Sequence, residues 1–264
     1  MRLKRDFNFY FNIFILVGMV IAVSVVNFFE LREPGVQIFK QLIIAVGAVM
    51  GVVNTVLSAN GNIWTFLFGV IEVSICSYAN LDSGNIGQFL QHVIYFLPMQ
   101  FVGYWQWRKR GAGGKDEQGQ TCKVRARRLS HRQWALVGVS FVLGTVVSYF
   151  ILYWIDLGQF KAGHIASLDR PKLILDASVV VLNIIGQILM SLAFAEQWHI
   201  WNLVNVFSIL LWTNRLLSPE ASGYTVVMLV KYVFYLMNSL NGLRIWLSLS
   251  RDPQRHMPEH RGCC

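Results

Sequence analysis

The sequence predicts an all-α integral membrane protein, and three observations carry that reading. Hydrophobic residues make up 55% of the 264-residue chain and charged residues only 14%; a water-soluble domain carries about a quarter charged residues. Apolar runs of about 20 residues, the length that crosses a bilayer as a helix, recur along the whole chain. The net charge of +9 is gathered at the amino end and in connecting segments. That pattern sets membrane orientation and argues against nucleic-acid binding.

Arg2, Lys4 and Arg5 precede the first apolar run, about Phe9 to Phe29. It exceeds the roughly 7–15 residues of a signal-peptide core and has no clear small-residue cleavage site, so it is expected to be a retained helix. Glu30 to Gly35 is a polar turn holding Pro34. The second span runs from about Val36 to Ser58, the third from Ile63 to Leu81 and the fourth from Ile86 to Trp107. Their connections, Ala59-Asn60-Gly61-Asn62 and Asp82-Ser83-Gly84-Asn85, are short and turn-forming, which makes the spans antiparallel neighbours. Arg108 to Arg132 is rich in arginine, lysine and glycine and reads as a flexible basic loop. A fifth span, Trp134 to Ile155, has almost no polar side chains; Tyr153 and Trp154 suit the membrane interface. After a mixed-charge loop, Asp156 to Lys172, come spans at Leu173 to Ala195, Trp198 to Leu217 and Tyr224 to Ser250, then a polar tail. Eight spans put the amino terminus, the basic loop and the tail on one side. Its lysine and arginine content marks that side as cytoplasmic.

The spans also repeat. Gly103 and Trp107 close the fourth span, and Gly242 and Trp246 close the eighth at the same spacing. Asn62-Ile63-Trp64 opens the third and His199-Ile200-Trp201 the seventh. Aromatic-polar segments precede the glycine in both, Tyr95 to Gln100 and Phe234 to Ser239. Two three-helix units joined by one inverting helix form a parallel repeat, a transporter plan with the substrate near the midplane between the halves. The expected divisions are 1–35 (extra helix), 36–107 (first unit), 108–133 (basic loop), 134–172 (linking helix and loop), 173–250 (second unit) and 251–264 (tail).

Polar side chains are costly in lipid and mark helix faces turned inward. Trp198, Trp201, Asn202 and Asn205 share one face of the seventh span by helical spacing. Gln88, Gln91 and Tyr95 do so on the fourth, and Lys231, Tyr235, Asn238 and Gly242 on the eighth. Flat aromatic surfaces beside amides suit a small molecule with a ring and hydroxyls. The structural alternative is that the amides cement helix contacts, at about 1 kcal/mol or less each. Glu72, central in the third span, either pairs with Lys231 or lines the path and attracts cations. No catalytic cluster, CxxC pair or metal-ligand spacing occurs. Gly111-Ala112-Gly113-Gly114-Lys115-Asp116 fails as a phosphate loop, because Lys109 stands at the first glycine and Asp116 replaces the hydroxyl residue. A carrier working without ATP, with no cofactor and no enzymatic activity, is expected.

Glu196-Gln197-Trp198-x-x-Trp201-Asn202-x-x-Asn205, together with Pro98-Met99-Gln100-Phe101-x-Gly103-x-Trp105-Gln106-Trp107, resembles the PnuC family of bacterial vitamin B3 transporters over about Ile44 to Ser250. The resemblance implies a full-length relative of the SWEET carriers with a 3+1+3 arrangement, to which Phe9 to Phe29 adds a helix. It implies a homotrimer in the bacterial inner membrane that imports nicotinamide riboside by facilitated diffusion, the substrate being trapped by a cytoplasmic kinase. Trp198 and Trp201 would flank the pyridinium ring, a cation that indole faces attract by roughly 0.5–2 kcal/mol. Asn202, Asn205, Gln88, Gln91 and Asn238 would hold polar groups, with Tyr95 and Tyr235 along the path. The rival expectation is an ion-coupled carrier of another aromatic vitamin or sugar-like solute, with Glu72 as the ion site.

Overall fold

A computed structural model describes residues 2–32, 38–82, 89–115, 119–161, 170–217 and 223–250. Among these the chain is helical, with two isolated backbone bridges, Lys115 to Thr121 and Arg127 to Phe194, as its extended pairing. Helix α1 is Arg2–Glu30, α2 Ile38–Ala59 and α3 Thr65–Asp82. A π-helical turn, Gln91–Phe96, leads into α4, Leu97–Lys109. Then come α5, His131–Lys161, α6, Arg170–Ser191, α7, Gln197–Leu216, and α8, Gly223–Leu249. By length and composition alone, three described segments can cross a membrane: Phe7–Phe29, His131–Gly158 and Leu173–Ser191. Most of the polar side chains discussed below lie on the remaining helices, with Asn183 and Gln187 on Leu173–Ser191.

Each described span falls on a helix, with shifted ends. At the start of α5 the shift has a visible cause. Ser130 and Gln133 form a reciprocal cap: the Ser130 N–H donates to Gln133 Oε1 (2.9 Å) and the Gln133 N–H to Ser130 Oγ (3.4 Å). This capping box satisfies first-turn groups and starts the helix three residues before the apolar run. In α4, Pro98 lacks the N–H that would reach the Ile94 carbonyl, and its ring crowds that carbonyl. The turn before it widens, and the Leu97 N–H reaches back to the His92 carbonyl instead.

α2, α3 and α4 pack in sequence, as do α6, α7 and α8. Between the triplets the contacts are reciprocal. The first helix of each meets the third helix of the other: α2 lies on α8 and α4 on α6. The closing tryptophans follow the same rule. Trp107 Nε1 of α4 donates to the Met190 carbonyl of α6 (2.8 Å), and Trp246 Nε1 of α8 to the Ser58 carbonyl of α2 (3.0 Å). The glycine one turn earlier admits an aromatic ring in each triplet. A Cβ on Gly103 would sit 2.2 Å from the Phe66 ring, and one on Gly242 2.8 Å from the Trp198 indole. By contact, therefore, Phe66 is the counterpart of Trp198, whereas Trp64, matched to Trp201 by its neighbours in sequence, is 55% exposed.

Trp107, Trp198 and Trp246 form the centre of a buried cluster with Phe66, Ile63 and Met190. This cluster seals the end of the bundle where α2, α4, α6 and α8 finish. The basic loop lies across the same end, and it is docked rather than free. The Val124 N–H donates to the Gly61 carbonyl in the α2–α3 turn (3.0 Å). Arg127 exchanges backbone bonds with Ala193 (2.7 Å) and Ala195 (2.9 Å) in the α6–α7 turn. Val124 and Ala112 are 1% exposed. Arg128 Nε pairs with Glu196 Oε1 at 2.7 Å, where the acid is 3% exposed.

α1 and α5 lie outside the triplets. α1 packs on α2 and α8, with Ile15 and Met19 against Val52 and Val56. α5 packs on α6, where a Cβ on Gly144 would come 3.0 Å from Val181. Its other faces expose Val139, Val142, Leu143, Val146, Phe150 and Trp154; an apolar surface of this kind suits lipid.

Candidate functional site

A cavity of about 480 Å³ lies inside the bundle, and all six helices of the two triplets line it while α1 and α5 do not. Asn54, Thr55 and Ser58 come from α2. Glu72, Val73 and Cys76 come from α3. The π-helical turn supplies Gln91, His92 and Phe96, and α4 supplies Gln100. Asn183, Gln187 and Met190 come from α6, Trp198, Trp201, Val204 and Asn205 from α7, and Lys231, Tyr232, Tyr235 and Ser239 from α8. The widened turn explains how α4 contributes: a π-turn adds a residue per turn and swings neighbours toward the centre, a device frequent at functional sites.

Of the residues singled out by sequence, Trp198, Trp201, Asn205, Gln91 and Tyr235 border the cavity. Asn202 faces a shallow depression with Trp134 and His199, and reaches the site indirectly through Ser239. Ser239 Oγ accepts from Asn205 Nδ2 (3.1 Å) and has one proton to give, to Asn202 Oδ1 or to the Leu236 carbonyl. Tyr95 and Asn238 bridge the halves instead of lining the cavity. The Tyr95 hydroxyl donates to the Ile184 carbonyl of α6 (2.7 Å), and Asn238 Nδ2 to the Thr55 carbonyl of α2 (3.2 Å). Gln88 lies outside the described residues.

The structure adds residues that sequence reasoning did not single out: Asn54, Gln100, Asn183 and Gln187. Asn54 Nδ2 donates to Glu72 Oε2 (2.9 Å), and Thr65 Oγ1 donates to the Asn54 carbonyl (3.0 Å) and contacts its Oδ1. Gln100 Oε1 is buried with no partner among the described residues. It lies against Gly69, where a Cβ would meet it at 2.3 Å. Asn238 Oδ1 and Trp198 Nε1 are buried and unpartnered in the same sense. Unpaired buried polar atoms cost about 1–3 kcal/mol each, and a ligand or water that reaches them recovers part of that.

The two indoles play different parts. Trp198 is 2% exposed and wedged against Gly242 and Trp246, so it forms the floor at the sealed end. Trp201, one turn further, rests its ring edge on Gly186, where a Cβ would come 3.1 Å from it, and is less buried. Glu72 and Lys231 also face the cavity, and among the described residues no ion pair joins them. Lys231 Nζ stands 5.3 Å from the Tyr235 ring centroid and 5.8 Å from that of Tyr232. The ensemble is a partly open cavity with flat aromatic walls, convergent amides and one acidic and one basic side chain, Glu72 and Lys231. It offers recognition of a small polar aromatic solute. Among the described residues no group of three or more metal-ligating side chains occurs.

Comparison with known proteins agrees with this geometry. A family model described as nicotinamide mononucleotide transporter matches residues 41–248. The chain is 35% identical over 206 residues to the nicotinamide riboside transporter PnuC of Neisseria mucosa, covering 78% of this chain and 72% of that one. It is 27% identical over 207 residues to the protein of the same name from Haemophilus influenzae, covering 77% and 78%. Among solved structures it resembles the crystal structure of the vitamin B3 transporter PnuC, with a TM-score of 0.67, 30% identity, and coverage of 94% of this chain and 93% of that chain. That coverage takes in at least part of α1, which the family model leaves out.

Proposed function

Because the chain belongs to the nicotinamide mononucleotide transporter family, the multi-pass membrane carriers that include the PnuC proteins, we propose that it imports nicotinamide riboside across a bacterial inner membrane. The observation that carries this reading is the cavity itself. Its volume of about 480 Å³ lies within the roughly 300–1,000 Å³ of small-molecule sites. It combines two indoles with amides from four of the six helices, the π-turn counted with α4. The indole of Trp201 meets the face of the pyridinium. Asn205, Gln91, Gln100 and Gln187 hydrogen-bond the carboxamide and the ribose hydroxyls.

The reciprocal contacts of the two triplets support a 3+1+3 parallel repeat of the SWEET type, with α1 flanking it. Access alternates as one triplet rocks on the other. In this reading the basic loop and both termini are cytoplasmic, because the loop docks where the even-numbered helices end and positive charge favours that side. The riboside moves by facilitated diffusion, a cytoplasmic kinase traps it as the phosphate, and the carrier is a homotrimer. Reconstituted protein should equilibrate labelled nicotinamide riboside across proteoliposomes without any ion gradient. Saturable uptake that stops at equal concentrations supports the proposal; no uptake above empty liposomes rejects it.

Glu72 in the cavity wall favours a second reading, an ion-coupled carrier of an aromatic vitamin or sugar-like solute. It requires accumulation above equilibrium under an imposed proton or sodium gradient, which the first reading excludes.

A further inference from the structure

Glu72 is a costly side chain in the cavity wall, because a carboxylate removed from water needs a countercharge as well as hydrogen bonds. Its two oxygens are placed with care. Oε2 accepts from Asn54 Nδ2 at 2.9 Å, and Asn54 is itself held by Thr65. Oε1 lies against α2 at Gly51, where a Cβ would come within 2.5 Å of it. The absence of a side chain at Gly51 is what lets the carboxylate sit there. Lys231 shares the cavity but forms no ion pair with Glu72 among the described residues; its ammonium is directed at the rings of Tyr235 and Tyr232. The acid is thus fixed in orientation, lines the solute space, and among the described residues has no cation within ion-pair distance.

The geometry points to Glu72 as the counter-ion for a cationic heterocycle. Resting on the reading of the cavity as a riboside site, it makes Glu72 the residue that distinguishes the oxidised, positively charged pyridinium from an uncharged ring of nearly the same shape. Trp201 recognises a flat ring of either kind; the carboxylate responds to its charge. Lys231 opposes a cation in the same space, and the two tyrosine rings temper that opposition by drawing its ammonium toward themselves.

The test uses the full-length protein in lipid nanodiscs, titrated with nicotinamide riboside and with its uncharged 1,4-dihydro form. The native protein is expected to prefer the cation. Glu72→Gln keeps the shape and an acceptor for Asn54 while removing the charge. It should weaken the cation by about tenfold or more and the dihydro form by less than about threefold, so that the preference collapses. Glu72→Asp, which keeps the charge on a shorter arm, should restore part of the preference. Lys231→Met should raise the preference by a fewfold, and decides the question if Glu72→Gln does not fold. An unchanged preference in Glu72→Gln overturns the assignment, whether both ligands weaken together or neither does. Failure of the native protein to bind either form rejects the riboside reading itself, and the counter-ion role with it.

Discussion

Trp198 and Trp201 stand one turn apart on α7 and share a face, but burial divides their labour. Trp198 is locked between Gly242 and Trp246, whereas Trp201 keeps more of its indole toward the cavity. Replacing Trp201 with Ala should lower riboside affinity about 10–100-fold, the loss of a flat apolar face and its attraction for a cation. Trp201→Phe should recover part of it in calorimetric titrations of the three proteins, and equal affinity in all of them would remove the residue from the site. The α7 face was legible because a helix's own period places four side chains together. Asn54, Gln100, Asn183 and Gln187 were not, since they are scattered over α2, α4 and α6, with only Asn183 and Gln187 sharing a helix, and packing brings them to one space. Tyr95 and Asn238 show the converse. Their stripes are visible in sequence, but the direction of a polar atom depends on which carbonyl the opposite triplet presents.

Among the elements, the π-turn before Pro98 is the most consequential. With Pro98→Ala the Ile94 carbonyl regains a donor, and the turn can tighten to an ordinary α-helix. Gln91 and His92 then rotate away from the solute. Uptake should fall by roughly tenfold or more while the melting temperature holds or rises, the exchange expected where local strain serves a site. A parallel loss of stability and uptake would show instead that the proline only braces the fold. The glycines that close α4 and α8 make a matched pair of predictions. Gly103→Ala and Gly242→Ala each force a methyl into an aromatic ring, a strain of about 1–3 kcal/mol. Thermal unfolding should fall in both, and a large effect in one alone would break the equivalence of the triplets. Their spacing to Trp107 and Trp246 was plain in the sequence. The ring each one admits was not, because Phe66 and Trp198 share no local motif.

For the whole molecule, the basic loop is the feature that the sequence misrepresented most. Glycine and charge suggested a mobile connection. Its backbone pairs with the α2–α3 turn at Gly61 and with the α6–α7 turn at Ala193 and Ala195, bonds that no side-chain pattern announces. Arg128 completes the attachment at Glu196. Arg128→Ala should destabilise by about 1–3 kcal/mol by stranding a buried carboxylate, and adding Glu196→Gln should return most of it. Non-additivity in a double-mutant cycle by chemical unfolding is the check; simple addition would mean that the pair carries no coupling. That the chain is helical, with apolar segments long enough to cross a membrane, was readable because lipid imposes length and composition. How the halves grip one another depends on shape, which composition does not encode.

The sealed floor has a kinetic corollary. Both indole–carbonyl crossings lie at one end, each tying a different pair of helices, with the docked loop above them. In the proposed alternating-access cycle, discharge through that floor would require every tie to yield in one event, so a half-released intermediate would gain little. Weakening either tie should speed turnover and, beyond some point, let unrelated solutes slip through, which makes throughput and leak-tightness properties of the floor, adjustable without touching the walls that choose the cargo.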